Sequence, residues 1–421
     1  MSHIFALADA DSFYANCERA LNPALRRRPI VVLSNNDGCI VSHSDEVKAL
    51  KIRKGVPLFQ VRSLLEKHNA AIFSSNYALY GDFSERIMES LREFTPEVEV
   101  YSIDEAFMEL EGCRSMSLQE LGREIQGKIY QWTGIPITLG IAETKTLAKV
   151  ATHIAKRSPK ARGVLDLYKS PYQEIALERT PVGKVWGIGH RYEKNLLANE
   201  IMTALELRNA NTRWIRKNLT INVHRLVLEL RGISCLELET CPPPRKSVTC
   251  SRTFGVLAER LSEVREALAV YVTRAAEKLR REGLAASALT VSIHTDSFAR
   301  GPQYHPSATR TLAYPTDSTN ELIAYALDTL EHLFREGYGY RKARVTFFGL
   351  VPADQLTMRL FDDTRWERFR RVMEAVDLIN RKYGRDTIRF AVAQPEGRWK
   401  TKSEYLSPRY TTRLSEVVTV R

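Results

Sequence analysis

The segments IFALADAD (residues 4–11) and VEVYSIDEAFMEL (residues 98–110) decide the fold of this chain. The apolar start of the first segment predicts a strand buried on both faces, and Asp9 stands at its end. A buried, ionised carboxylate is costly unless it is paired or binds a cation. The second segment predicts two short strands that meet at Asp104 and Glu105, where a tight hairpin allows both acids to converge.

If this hairpin lies beside the first strand, three carboxylates surround one point. Two magnesium ions need such an arrangement to clamp a phosphoryl group. An adjacent Asp-Glu pair is also common in solvated turns, so the residues alone leave that alternative open.

The composition describes a multidomain globular protein. A chain of 421 residues is too long for one core, and 44% hydrophobic with 27% charged residues is ordinary for a folded protein. We find no apolar run of transmembrane length and no leader segment, so we expect a cytoplasmic protein without a membrane partner. The six cysteines form no Cys-x-x-Cys pair, which argues for reduced thiols rather than a zinc site or a disulfide framework.

The positive charge is concentrated in the C-terminal part. The net charge of the chain is +12, and residues 241–421 contain 30 Lys and Arg against 21 Asp and Glu, which accounts for +9 of it. This asymmetry is expected of a module that binds a polyanion, although a solvated surface would also explain it.

Helical and strand patterns alternate over residues 1–165, which predicts a mixed α+β domain around one sheet. Residues 177–230 are mainly helical in pattern, interrupted by Trp186-Gly187-Ile188-Gly189, a Gly-x-Gly turn whose amides can face a phosphate. Three prolines at 242–244 predict a linker. The pattern beyond them is a β-α-β-β-α-β unit of about a hundred residues.

Six segments occur in one order over residues 8–189: ADADSFYANCE, SNNDGC, SSNYALYGDFS, YSIDEAF, LGIAETKTLAK and VWGIG. QLTMRLF follows from residue 355, and SPRYTTRLSEV from residue 407. Together they resemble the Y-family translesion DNA polymerases, and most closely the UmuC-like group, the catalytic subunits of the bacterial SOS DNA polymerase V. The resemblance covers essentially the whole chain.

The resemblance implies an α+β multidomain fold, a right-hand polymerase with palm, fingers, helical thumb and a β-α-β-β-α-β little-finger domain. Residues 1–165 would be the catalytic palm with inserted fingers, and 166–240 the helical thumb with a helix-hairpin-helix. Residues 245–350 would be the DNA-binding little finger, and 351–421 a tail that binds the clamp and other partners.

For the active site, the resemblance implies that Asp9, Asp104 and Glu105 are catalytic and bind two Mg²⁺ ions, with the Ala10 carbonyl as a further ligand. Tyr14, next to Phe13, would be the steric gate beneath the incoming dNTP sugar, although an aromatic residue there also fits a core position.

The resemblance places Lys48 and Lys156 at the triphosphate. Asp45 departs from the tyrosine of many relatives and is left out of the site. Asp11 is a candidate for an acid that positions the metal ligands without binding the ions itself.

Primer-template DNA would contact Gly187, Gly189 and Arg252 by the same resemblance. Residues 198–201 (Ala-Asn-Glu-Ile) lack the glycine usual in the second hairpin segment, which weakens a DNA role there.

The sliding clamp would bind residues of the QLTMRLF segment, namely Gln355, Met358, Leu360 and Phe361, although a helix flank packing on the tail would also explain the pattern. A processed accessory-subunit dimer and a recombinase filament are the further implied partners.

The expected activity is template-directed, error-prone addition of dNTPs opposite damaged template in the SOS response, without a proofreading exonuclease. Two alternatives remain open at this stage. One is a non-catalytic DNA-binding or replisome scaffold protein of the same fold. The other is a nucleotidyl cyclase, which the basic C-terminal half disfavours.

Overall fold

The structure is a computed structural model that describes residues 3–110, 116–241, 243–355, 365–394 and 397–417. The chain forms two compact units. The first comprises Met1–Ser34, Gly38–Pro242 and Tyr405–Arg421, and the second comprises Asn35–Asp37 and Pro243–Glu404. Within the described ranges, no helix combines the length and apolar character needed to cross a bilayer.

The first unit contains strands and helices in alternation, as the sequence pattern predicts for its N-terminal part. Its strands are β1 Phe5–Ala10, β2 Ile30–Leu33, β3 Ile40–His43, β4 Ala71–Ser74, β5 Val98–Val100, β6 Glu105–Glu109, β7 Ile137–Ala142 and β8 Val164–Asp166. Its helices are α1 Phe13–Ala20, α2 Asp45–Ala49, α3 Leu58–Lys67, α4 Tyr77–Arg92, α5 Leu118–Thr133, α6 Lys145–Ala155, α7 Gln173–Glu178, α8 His190–Ala198, α9 Ala204–Asn209, α10 Thr212–Asn218 and α11 Ile221–Leu230.

The main sheet has the strand order β5-β6-β1-β7-β8, with β1 antiparallel to both of its neighbours. Strand β1 is buried on both faces, as predicted. Ala6 and Ala8 join the core formed with α1, α4 and α5, whereas Phe5 and Leu7 join the core formed with α6 and the helices after β8. Alternation of side chains along a strand produces this division.

A smaller sheet has the order β3-β2-β4, in which β2 pairs antiparallel with β3 and parallel with β4. The sequence pattern did not predict α3 and β4. Helix α3 has only two buried side chains, Leu58 and Leu65, so its apolar periodicity is weak.

The second unit contains the predicted β-α-β-β-α-β arrangement. Its strands are β9 Ser247–Ala258, β10 Leu284–Thr295, β11 Ser307–Thr316 and β12 Tyr340–Pro352, and its helices are α12 Leu261–Arg281, α13 Thr319–Leu333 and α14 Arg365–Tyr383. The antiparallel sheet has the order β11-β10-β12-β9. Its core lies between one sheet face and the helices α12 and α13.

Candidate active site

Asp9 and Glu105 are directly opposite each other on the antiparallel strands β1 and β6. The Ala10 amide donates to the Asp104 carbonyl oxygen at 2.8 Å, which extends this pairing by one step. The predicted hairpin between β5 and β6 is confirmed: the amides of Tyr101 and Ser102 donate to the Glu105 carbonyl oxygen across the turn. The backbone therefore brings the acids of both segments to the same end of the sheet.

Ser102 shapes the turn that carries two of the acids. Its hydroxyl donates to Oδ1 of Asp104 at 2.6 Å and accepts from the amides of Asp104 and Glu105 at 3.2 and 3.0 Å. The sequence interpretation did not single out this residue. A serine two residues before an aspartate in a predicted turn is the available signal, since short hydroxyl side chains commonly bond to nearby backbone amides.

Lys149 of helix α6 and Lys156, the residue that caps the end of this helix, pair with the acids. Lys156 Nζ lies 2.5 Å from Asp9 Oδ1 and 3.4 Å from Asp11 Oδ1. Lys149 Nζ lies 3.0 Å from Glu105 Oε2 and 4.4 Å from the centre of the Tyr101 ring. Lys149 was missed as a site residue, because only the tertiary fold places α6 beside the hairpin.

The electrostatics at Asp9 show the cost of a buried acid. Burial raises the pKa of Asp9 to about 6, Lys156 opposes this shift, and repulsion from Glu105 and Asp104 adds to it. For Lys156, burial acts to lower the pKa, but the neighbouring Asp9 and Asp11 carboxylates outweigh it, so the pKa is raised. A divalent cation at this position would favour the ionised form of Asp9 more strongly than the single charge of a lysine does.

The chemical type of the donors fits Mg²⁺, since carboxylate and carbonyl oxygens are its preferred protein ligands. In the described part of the chain, no three His, Cys, Asp or Glu side chains converge to hold one metal ion. Asp104 bonds to Ser102 and Glu105 pairs with Lys149, so both side chains point to other partners. The fit therefore rests on residue type and backbone register, and ion binding would require these carboxylates to reorient.

Tyr14 lies on the first turn of α1, preceded by Ser12, which has the left-handed φ of 45°. Its ring stacks on that of Tyr80, with centroids 4.4 Å apart and an interplanar angle of 14°. Tyr77 contacts it edge-on at 6.2 Å. Phe13 is buried in the core and supports the helix from below rather than presenting a free surface.

Lys48 lies on α2 and pairs with Asp45 three residues earlier, with Nζ 2.5 Å from Oδ1. Both side chains are exposed. Asp11 accepts from the Thr138 hydroxyl at 2.8 Å in addition to its contact with Lys156. The structure thus places Asp11, but not Lys48, in contact with the network around Asp9.

Gly187 and Gly189, the two glycines predicted to contact DNA, lie immediately before helix α8. Gly187 has a φ of 82°, the left-handed region that favours glycine, and Gly189 is the residue that precedes α8. Glu200, in the segment without the usual glycine, adopts a φ of 62°. The chain therefore keeps a left-handed backbone there at some cost in strain.

Arg252 lies on the helix-covered side of the sheet in the second unit. Arg252 is two residues away from each of the buried residues Cys250 and Phe254 on β9, so its side chain is on the same face of the sheet as theirs. It lines a cavity of about 670 Å³ together with Arg274 and Lys278 of α12. Its DNA contact stays a prediction.

The opposite sheet face contains basic residues that the sequence interpretation missed. Val345 and Phe347 of β12 face the core, so the alternate residues Lys342 and Arg344 face the other way. On the same face, the hydroxyls of Thr249 and Thr346 lie 3.0 Å apart. This open face therefore combines cations with hydroxyl groups.

Of the predicted clamp contacts, Gln355 ends the short helix Ala353–Gln355 that follows β12. Met358, Leu360 and Phe361 lie outside the described residues. The structure accordingly leaves this prediction as it stood.

Three family descriptions match the chain. They are the impB/mucB/samB family over residues 8–153, its C-terminal domain over residues 245–360, and a domain of unknown function, DUF4113, over residues 370–420.

Relatives and solved structures agree with these matches. Protein UmuC of Salmonella typhimurium is 42% identical over 99% of this chain and 100% of its own length. DNA polymerase IV of Moorella thermoacetica is 30% identical over 92% of this chain and 95% of its own. A solved structure, "Y-family DNA polymerase chimera Dbh-Dpo4(243-245)-Dbh", is 21% identical and covers 83% of this chain and 99% of its own, with a TM-score of 0.69.

The structural likeness confirms the predicted fold class, an α+β right-hand polymerase architecture with palm, fingers, thumb and little finger. The sequence likeness extends over the full length of UmuC. On both grounds, this chain belongs to the impB/mucB/samB family, with UmuC among its relatives, and it has the fold of a Y-family DNA polymerase.

Proposed function

We propose that the chain is a template-directed DNA polymerase of the translesion type, which adds dNTPs to a primer 3′ end opposite damaged template during the SOS response. The observation that carries this proposal is the direct opposition of Asp9 and Glu105, with Asp104 in the adjoining turn. Relatives named UmuC and DNA polymerase IV support it at the level of family.

Asp9, Asp104 and Glu105, with the Ala10 carbonyl, are the residues that would hold two Mg²⁺ ions. When bound, the ions would lower the pKa of the primer 3′-hydroxyl and neutralise the leaving pyrophosphate. Lys156 is a cation already placed at these acids, and we assign it to the triphosphate. We assign Lys48 the same role, which would require it to release Asp45.

Tyr14 would exclude ribonucleotides by a clash with the 2′-hydroxyl. The stacked Tyr80 ring supports this role, since a rigid ring discriminates better than a mobile one. Phe13 would contribute by anchoring the same helical turn in the core.

We assign residues 1–165 to palm and fingers, 166–240 to the thumb, and 245–350 to the little finger. The open sheet face with Lys342 and Arg344 is the surface we assign to the DNA backbone, because phosphates are bound by cations and hydroxyls. Gly187 and Gly189 would offer backbone amides to the duplex from the thumb.

Residues 351–421 would bind the sliding clamp through Gln355, Met358, Leu360 and Phe361. The same tail would contact the processed accessory-subunit dimer and the recombinase filament. We infer these partners, and a location in the cytoplasm, from the family to which the chain belongs.

Primer extension on a damaged template with Mg²⁺ tests the central proposal. Asp104→Asn should lower the incorporation rate by on the order of 100-fold or more while primer-template binding is retained. The matched control is Glu89→Gln, an exposed acid on α4, which should behave as wild type. Equal incorporation by Asp104→Asn and wild type would refute the metal role, and absence of incorporation by the wild type with its partners would favour the scaffold alternative.

A further inference from the structure

The C-terminal tail returns to the first unit at Tyr405, whereas the described residues 365–394 and 397–404 belong to the second unit. Tyr405 pairs with the end of β4: its amide donates to the Ser74 hydroxyl, and its carbonyl oxygen accepts from the Ser74 amide, both at 3.0 Å. The Tyr405 hydroxyl also accepts from Arg62 of α3 at 2.5 Å. The tail therefore enters this unit in a defined register.

Ser407 is the buried contact of the tail, with 6% of its surface exposed. Its hydroxyl donates to Glu18 Oε1 at 2.9 Å. Asn76, the residue that caps α4, donates to the Ser407 carbonyl oxygen at 3.1 Å and to the Ser407 hydroxyl oxygen at 3.0 Å, and to the carbonyl oxygen of Pro408 at 3.3 Å. One tail serine thus joins α1 to the start of α4.

The same Glu18 oxygen accepts from the Tyr80 hydroxyl at 2.7 Å. Tyr80 is fully buried, and its ring is the one on which Tyr14 stacks at 4.4 Å. A continuous chain of contacts accordingly runs from Ser407 through Glu18 to Tyr80 and Tyr14.

The residues that connect Ser407 to Tyr80 are buried, so the loss of any one of their hydrogen bonds carries a free-energy cost. Glu18 is 2% exposed and Asn76 is 2% exposed, so neither can replace a lost partner with bulk water. Removing one partner of a buried polar group leaves the other unsatisfied, which favours a shift of the side chains. A shift of Tyr80 would move the surface against which Tyr14 rests.

We propose that the tail segment 405–410 is a positioning element for Tyr14, with Ser407 as its central residue, and that it sharpens selection of the nucleotide sugar. The inference rests on the proposed role of Tyr14 and adds a function for part of the DUF4113 match, residues 370–420. The tail acts through Glu18 and Tyr80 and does not touch the nucleotide itself.

The first test compares incorporation of dNTP and NTP by purified full-length variants with their accessory partners. Ser407→Ala should lower the ratio of dNTP to NTP incorporation efficiency by about five- to tenfold, the range expected for loss of one ordinary buried hydrogen bond. Ser407→Thr keeps the hydroxyl and should restore most of the ratio. Ser415→Ala, an exposed serine of the same tail, is the matched control and should leave the ratio unchanged.

A second variant protects the test against a folding defect in Ser407→Ala. Tyr80→Phe keeps the stacked ring but removes the hydroxyl that donates to Glu18, and it should lower the same ratio in the same direction. Thermal unfolding of each variant, measured in parallel, separates a loss of sugar selection from a loss of folded protein.

The decisive arm places Ser407→Ala in a Tyr14→Ala background. If Ser407 acts through Tyr14, the double variant should have the same ratio as Tyr14→Ala alone, whereas an independent structural effect would lower it further and overturn the inference. A ratio unchanged in both Ser407→Ala and Tyr80→Phe, when Tyr14→Ala relaxes it, would overturn the inference only. A ratio unchanged in Tyr14→Ala itself would overturn the proposed steric gate, and the inference with it.

Discussion

Asp9 and Glu105 lie opposite each other across β1 and β6, although they are 96 positions apart in the chain. Each is paired with a lysine: Glu105 with Lys149 of α6, and Asp9 with Lys156, which caps the end of α6. One helix with its cap residue therefore neutralises both acids, which explains how two carboxylates can share the end of a buried sheet.

Replacing Tyr14 by alanine should admit ribonucleotides, since the aromatic ring that would meet the 2′-hydroxyl is removed. The expected change in the ratio of dNTP to NTP incorporation is roughly 100-fold. Tyr14→Phe is the matched control, because it retains the ring and should retain the discrimination. Single-nucleotide incorporation kinetics measure both, and equal ratios in Tyr14→Ala and wild type would contradict the prediction.

Glu18 should make stability depend on pH. Burial raises the pKa of Glu18 to about 7 from an ordinary value of 4.5, against the lowering effect of the hydrogen bonds from Tyr80 and Ser407. Between these two pH values the folded chain keeps a proton that the unfolded chain has released. The contribution of Glu18 to the free energy of unfolding should therefore be largest below pH 4.5 and should fall as pH rises to 7, by on the order of 3 kcal/mol.

Glu18→Gln has no such titration, so the stability difference between wild type and this variant should shrink or reverse from pH 4.5 to 7. Urea unfolding at several pH values, followed by fluorescence, measures this difference. The control is Glu89→Gln, whose exposed side chain should give a difference that does not vary with pH. A constant difference for Glu18→Gln as well would show that this carboxyl titrates normally.

Gly140 of β7 lies where helix α6 packs directly against the sheet. A Cβ at this position would overlap with the backbone nitrogen of Thr152 and the carbonyl oxygen of Ala148. Gly140→Ala should lower the free energy of unfolding by roughly 1–3 kcal/mol, because backbone atoms cannot yield as flexible side chains do.

The matched control is Gly127→Ala in α5, where the new methyl group would meet nothing within 4 Å. This exchange should stabilise the chain by about 0.5–1 kcal/mol, since alanine forms helices better than glycine. Denaturant unfolding compares the two, and similar midpoints for both variants would argue against close packing of α6 on β7.

Arg344, exposed on the open face of the second sheet, should bind a DNA phosphate. Arg344→Ala should weaken primer-template binding equally for all sequences and reduce the slope of log K against log salt by about 1. Arg265→Ala is the control, because that arginine lies on α12 and already pairs with Glu331. Binding isotherms at several salt concentrations test this, and an unaltered slope for Arg344→Ala would exclude a phosphate contact.

Much of the architecture could be predicted from local patterns. The buried strand that ends at Asp9, the hairpin at Asp104 and Glu105, and the β-α-β-β-α-β order all follow from alternation and helical periodicity, which neighbouring residues encode. Helix α3 escaped prediction because only two of its side chains are buried, and strand β4 because it is a run of only four residues.

The amino-acid sequence by itself determined most of the elements, the family and the acids, since these depend on short ordered motifs. Only the tertiary structure decided which partners those residues meet. Ser407 contacts Glu18 across 389 positions, and Arg252 lies on the helix side of its sheet. Such contacts depend on how whole elements pack against each other. Packing joins segments that are distant in the chain, so a local sequence pattern does not reveal it.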